Sequence, residues 1–252
     1  MTPLSRREFA AGTLGSLLTY SLLETLFGRD AWADEVKPIA AKWLADMNQL
    51  GLDLKGRQLK QTEWQTKIEE LYSKIDLPEL LKFMNFEKLA GSVKFKEQGE
   101  LSLQAKFPKV EGLPTNFVFG HQVFALGKGR SVVPHGHNNM ATAFLILQGD
   151  FRGRHYDRLE DEGDSAMIIK PTIDREFKPG EHSSISDYKD NIHWFQAKTD
   201  AAFIFNIHVM NVNPESAKKT GRVYIDPDGE KLSGGRIKAR VLRAGEAFKL
   251  YG

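Results

Sequence analysis

The sequence contains no cysteine. Disulfides, thiolate metal sites and cysteine nucleophiles are therefore excluded, and stability has to come from packing. A charge excess is missing too: 35 Lys+Arg stand against 33 Asp+Glu, a net charge of +2. Nucleic-acid binders usually carry a basic excess or stripe, so nucleic acid is not an expected partner. No internal repeat, low-complexity segment or long flexible linker is evident. What is there is apolar enough for a real core: 41% of the 252 residues are hydrophobic, with 16 Phe and 4 Trp. That length fits one domain with appendages.

Residues 1–33 read as a targeting segment. Ser5-Arg6-Arg7-Glu8-Phe9 precedes a mostly apolar run from Ala10 to Phe27, and Ala31-Trp32-Ala33 offers a small-x-small cleavage pattern. The paired arginines resemble the twin-arginine (Tat) signal. That resemblance implies the Tat export machinery as a partner, the bacterial periplasm as the location, and cleavage after about Ala33. A permanent membrane helix would need roughly 20 apolar residues, and Glu24 interrupts this run.

Three helical stretches should follow, in a helical extension over residues 34–90. Ile39, Trp43, Met47 and Leu50 recur at helical spacing, with Pro38 in the first turn. Thr62-x-x-Gln65 has the form of a capping box, and Trp64, Ile68, Leu71 and Tyr72 make the next stripe. Leu77-Pro78 opens a third helix that Gly91 ends. These aromatics read as core, not as a ligand box.

After Gly91 the apolar period changes from 3.6 to 2. Leu101 to Phe107, Phe117 to Ala125, Ala143 to Leu147, Ala166 to Ile169, Phe195 to Ala197, Phe203 to Met210 and Ile237 to Val241 read as strands. Gly127-Lys128-Gly129 and Asp226-Pro227-Asp228-Gly229 read as turns between them. Glu160-Asp161-Glu162-Gly163-Asp164 lacks calcium-loop spacing and reads as a solvated hairpin turn. Many short strands with regular turns mean a mainly β sandwich or barrel over residues 91–252.

Chemistry is expected at His135, His137 and His193. His135-Gly136-His137 on a strand sends two imidazoles to one side. Both can reach one ion at about 2.0–2.2 Å, and a third ligand must come from another strand.

Gly129, five residues, His135-x-His137 and then Gly149 resembles the first motif of the cupins, which are jelly-roll barrels holding a metal. The motif's glutamate would fall at Ala141 or Thr142, neither of which ligates like a carboxylate. The second motif gives a later histidine. Asp190 to Phe195 fits it, with Tyr188 and Asp190 at its proline and glycine positions. Pro134 to Met140, Leu147-Gln148-Gly149-Asp150, Tyr156-Asp157 and Asn191 to Ala197 further resemble the three-histidine thiol dioxygenases of the cysteine and cysteamine dioxygenase group. That resemblance spans about residues 120–213. It implies iron(II) as cofactor, with Zn, Ni, Cu or Mn as other divalent candidates.

A Ser-x-His-x-Tyr run of that group aligns with Asn206, His208 and Met210. The implied catalytic set is His208, Tyr156 and Asn206, with Met210 where the group has tyrosine. Arg152 and Arg154 are candidates for gripping a substrate carboxylate. Strand parity turns His208 inward if Phe203, Phe205 and Ile207 face an outer core. His121 reads first as a hydrogen-bonded core residue and His182 as a loop residue in solvent. Of His155 and Tyr156 at most one faces inward, and the resemblance favours Tyr156.

The leading expectation is an exported metal-dependent cupin that oxidises a small thiol. Its rivals are a non-enzymatic cupin that binds or senses a small molecule, and a Lewis-acid isomerase or hydrolase. A homodimer is the oligomer such proteins commonly form.

Overall fold

A computed structural model describes residues 29–110 and 113–252, with side chains from residue 39 onward. The export-signal reading falls on residues 1–28, outside the described residues, save for its last few positions. Among the described residues no helix is long and apolar enough to cross a membrane.

Helix α1 runs Arg29–Lys55, longer at both ends than the apolar spacing marked. Its buried line is Ala40, Trp43, Leu44, Met47 and Leu54, while Ile39 is 48% exposed. Helix α2 is Gln61–Tyr72 and buries Trp64, Gln65, Ile68 and Tyr72. The Thr62-x-x-Gln65 box does not form. The helix starts earlier, with the Lys60 N–H donating to Glu63 Oε2 at 2.9 Å. Gln65 is instead drawn into the packing, its Nε2 donating to the Ser184 carbonyl at 3.0 Å.

The expected third helix is two. α3 (Leu77–Phe83) is capped by Asp76, which accepts from the Glu79 N–H. α4 covers Phe86–Gly91. Asn85 between them takes φ +51°, a left-handed conformation that ends the first run, which asparagine tolerates better than most residues.

Eleven strands follow: β1 Leu101–Leu103, β2 Gly120–Leu126, β3 Ser131–Asn138, β4 Met140–Gln148, β5 Phe151–Glu162, β6 Ala166–Phe177, β7 His182–Ile185, β8 Ile192–Ala197, β9 Ala202–Met210, β10 Gly221–Lys231 and β11 Ile237–Leu242. Helix α5 (Ala244–Tyr251) ends the chain. One sheet has the order β1-β2-β9-β4-β7, and β10-β11-β6-β5-β8-β3 closes into a ring. The pairings are antiparallel throughout. The protein is thus mainly β, with a helical layer in front.

Alternation along β9 fixes the layers. Phe203, Phe205, Ile207 and Val209 join Trp43, Trp64 and Tyr72 in one core between helices and sheet. Ile204 faces the other way, into a second core between the sheet and the ring, with Phe124, Phe144 and Phe195. A third cluster, including Met167, Ile192, Ile225 and Ile237, packs within the ring.

Three strand readings need correction, the first being the strand expected from Phe117, which begins only at Gly120. The expected strand over Leu101–Phe107 stops at Leu103, after which the chain leaves the sheet. Asp226-Pro227-Asp228-Gly229 does not separate strands. It lies inside β10, where the β10–β11 register slips between Asp226 and Glu230. A bulge accommodates a proline that a regular ladder would reject.

Candidate metal centre

Strand pairing brings the three histidines together. His135 on β3 faces His193 on β8 as a register partner. His193 in turn faces His155 on β5, and Tyr224 on β10 faces His135 from the other side. Directly paired residues point to the same face of a sheet. A row Tyr224–His135–His193–His155 therefore crosses four strands, on the face turned toward the five-stranded sheet. The histidines lie between that sheet and the ring, not inside the closed ring.

The rings of His135 and His193 are 4.2 Å apart at their centroids, His135 and His137 5.0 Å, and His137 and His193 5.2 Å. One ligand nitrogen from each lies within 4.8 Å of the other two. Two metal–nitrogen bonds of about 2.1 Å bring a pair of nitrogens to about 4.2 Å or less. Three nitrogens sharing one ion sit closer still, about 3.0–3.6 Å apart, so a pair at the 4.8 Å limit would close by about 1.2–1.8 Å.

Hydrogen bonds on the far side of two rings orient them, and for His135 the bond also sets the tautomer. His135 Nδ1 is 2.7 Å from the Val133 carbonyl, and only a donating N–H satisfies that oxygen. His137 Nδ1 is 2.9 Å from Thr142 Oγ1. Both arrangements leave Nε2 facing inward, as a metal ligand requires. Gly136 between them lets Asn191 approach, its Nδ2 donating to the His137 carbonyl at 2.8 Å and to the Ser186 carbonyl at 2.9 Å. Asp190, at the glycine position of the second motif, takes φ +54°. It thereby supplies the turn that glycine would, steadied by its N–H donating to Asp157 Oδ1 at 2.8 Å.

Nε2 of His135, Nε2 of His137, both nitrogens of His193 and Oδ1 of Asn206 are buried without a hydrogen-bond partner. Buried polar atoms are nearly always paired, so such a convergence marks a ligand position. Three neutral imidazoles fit a divalent metal well. Burial, followed by the Arg222 charge, lowers the His135 pKa to about 3. Burial likewise holds His137 and His193 well below the usual histidine value, with the neighbouring His135 as the next cause for each. All three are therefore neutral at pH 7 and ready to ligate.

A small cavity of about 80 Å³ adjoins the trio, lined also by Phe124, Asn206, His208, Met210 and Arg222. Asn206 and His208 face the histidines, since Phe203, Phe205 and Ile207 do face the helical core. The His208 ring makes one weak polar contact, 3.5 Å from Asn206 Nδ2. Its pKa is lowered by burial, then by Arg222 and His121.

Tyr156 is not at the site. It packs with Met167, Ile169 and Ile192 in the ring cluster, on the opposite face of β5. His155 takes the inward position, fully buried, with Nε2 3.4 Å from Ser183 Oγ. Arg152 and Arg154 also face away: Arg152 pairs with Asp174 and Arg154 lies over the Trp194 ring at 4.1 Å. His121 faces the helical side among Phe107, Phe117 and Phe119. His182 opens β7 and packs edge-on against Tyr72. The Glu160–Asp164 turn is tied into ion pairs, Asp161 with Arg158 and Lys218.

Arg222 was not among the sequence candidates. It stands opposite His137 in the β3–β10 register and so points to the same face. Its Nη1 is 3.4 Å from Glu100 Oε1. No spacing motif links it to the histidines. Only the pairing of β10 with β3 does.

The sequence matches no family model and no curated protein. Solved structures similar in part include a cupin superfamily protein from Desulfitobacterium hafniense DCB-2, at 17% identity over 48% of this chain and 87% of that one, TM-score 0.31. KdgF from Halomonas sp. is 16% identical over 36% of this chain and 68% of that one, TM-score 0.27. Procruciferin, an 11S globulin from Brassica napus, is 10% identical over 42% of this chain, TM-score 0.31. The chain spans 22% of the length of each of the two 11S globulins first matched. These likenesses concern β-fold alone, and no residue role is taken from them.

Proposed function

We propose that this is a cupin that holds a divalent metal at His135, His137 and His193 and presents it to a small anionic ligand. The observation that carries the reading is the set of unpartnered ring nitrogens converging on one buried cavity. Three neutral ligands leave the ion's double positive charge uncompensated, which favours an anionic fourth ligand. Thr142 supports this, since it stands where an acidic ligand would sit and engages His137 Nδ1 instead.

Arg222 adds a guanidinium to the cavity wall, and Asn206 an unsatisfied amide oxygen. An anion in the cavity would accept from Arg222, while a ligand N–H or O–H would donate to Asn206. His208 offers a neutral imidazole at the rim for moving a proton. Phe124, Met140 and Met210 supply apolar wall that limits water.

The finer reading is iron(II)-dependent oxidation of a small thiol to a sulfinate. Both atoms of dioxygen are added to sulfur: the thiol loses four electrons, dioxygen gains four, and one proton is released. Iron would supply thiolate binding and dioxygen activation. Export through the Tat route to the periplasm, and a homodimer, complete the proposal. Met210 at the rim, where the thiol dioxygenases carry tyrosine, favours one rival: the same metal and anion site used for binding without turnover.

The test is metal analysis of the purified protein, then an oxygen electrode with iron(II) and cysteine, cysteamine or 3-mercaptopropionate. Oxygen uptake matched by sulfinate supports the enzyme. Thiol binding without uptake supports the binding module. Stoichiometric metal in His193→Ala would overturn the centre itself.

A further inference from the structure

The cavity beside the three histidines, at about 80 Å³, is far smaller than the roughly 300–1,000 Å³ of ordinary ligand pockets. A ligand larger than a few atoms must extend out of it, and among the described residues two larger pockets share a residue with its wall. One, about 300 Å³, meets it at His137 and is polar, with Arg158, Asp161 and Lys218 already paired to one another. His137 closes that side, and Thr142 fixes its ring at 2.9 Å.

The other is a groove of about 720 Å³ that meets the cavity at His208. It exists because β1 pairs with β2 only as far as Leu103 and Val123, leaving the start of β2 without that neighbour. Phe107, Phe117 and Phe119 line it around His121, with Phe117 and Phe119 stacked at 4.9 Å. Where groove and cavity meet, residue 120 is glycine. A Cβ there would lie 2.3 Å from His208 Nε2, so the ring rests on bare backbone. With one polar contact at 3.5 Å among the described residues, few polar interactions hold that ring in place.

Resting on the metal and anion reading above, we infer that the substrate is an amphipathic thiol or acid whose anionic head sits among the histidines and Arg222 and whose aryl or alkyl tail passes His208 into the Phe107–Phe117–Phe119 groove. His208 is the movable partition between head and tail sites. Stacked phenylalanines offer a flat apolar wall that suits an aromatic tail. Burial holds His121 below its ordinary pKa, so it adds no charge beside the phenylalanines at pH 7, and the charged groups of the groove are Lys106 and Lys109.

The test uses the whole protein loaded with Co(II), whose thiolate charge-transfer absorption reports binding without turnover. Ethanethiol and 2-phenylethanethiol are titrated in turn. The expected result is about tenfold tighter binding of the phenyl thiol, an advantage that Phe117→Ala reduces to about threefold or less. Phe117→Leu, which keeps most of the volume, should give an intermediate ratio and covers the case in which the alanine variant does not fold. A ratio near one in the parent protein, or a ratio that neither variant changes, overturns the tail site. Tighter binding of a thiol with a charged tail, such as glutathione, also overturns the apolar tail site, in favour of the polar pocket or of Lys106 and Lys109 in the groove. Bound Co(II) with no thiolate band for any thiol overturns the thiolate reading beneath it, a result distinct from all of these.

Discussion

Thr142 Oγ1 lies 2.9 Å from His137 Nδ1, on a strand of the opposite sheet. The contact spans the gap between β4 and β3 and sets which nitrogen of His137 faces the cavity. Partners of this kind are typically worth 10–100-fold in metal affinity. Thr142→Val should therefore lower metal affinity by about that factor while the fold persists, and Thr142→Ser should restore most of it. Competition with a chromophoric chelator measures the change. Parent-like affinity in Thr142→Val would show that packing alone orients the ring.

Arg222 makes opposite predictions for cation and anion. Its positive charge is among the causes that lower the pKa values of His135, His137 and His193, so it also repels a metal dication. Arg222→Met removes the repulsion and the anion donor together. Metal affinity should rise, and affinity of the metal-loaded protein for thiolate or carboxylate should fall about 10–100-fold, the worth of a charge-assisted hydrogen bond. Calorimetric titration of both ligands tests this. A parallel fall in both would place Arg222 in a structural role, through Glu100.

Gly120 is a local test of the partition. In Gly120→Ala the three atoms nearest the new Cβ all belong to the His208 ring, which can swing aside. Stability should drop by no more than about 1–3 kcal/mol. The expected functional effect is slower association of a long-tailed thiol than of ethanethiol, read by stopped-flow absorbance on the Co(II) protein. Equal slowing of both would mean that the ring does not separate head from tail.

The sequence revealed local periodicity and little that depended on which strand meets which. The stripe of Trp64, Ile68 and Tyr72 and the alternation of Phe203 to Val209 were legible because 3.6 and 2 are strong periods, and each side's apolar set has a core to face. His135 and His137 were legible because two residues on one strand share a face. Tyr156 was misplaced because adjacent residues face opposite ways and sequence alone gives no sign of which is inward. His155 then faces the phenylalanines between sheet and ring, and Tyr156 enters the ring. Arg222 was illegible for a different reason. It reaches the site through a pairing of β10 with β3, some 85 residues apart in sequence, and carries no motif of its own.

His155 is the buried histidine that the proposed site does not use, and it gives the acid sensitivity a sign. Its pKa is lowered to about 3, first by burial and then by the charges of Arg175 and Lys189. The folded state keeps it neutral, whereas the unfolded chain protonates it near 6.5. Its stabilising contribution is thus complete above about pH 6.5 and is lost as pH falls toward about 3. The slope is about 1.4 kcal/mol per pH unit for one such group. Phenylalanine is planar and apolar like its surroundings, since Phe144, Phe177 and Phe195 already pack around the ring, and the cost of its larger size is the same at both pH values. Between pH 7 and pH 5 the metal-free His155→Phe variant should lose about 2 kcal/mol less stability than the parent. Urea unfolding at the two pH values measures that difference, and equal losses in both proteins would mean that His155 is already protonated in the folded state or shielded in the unfolded one.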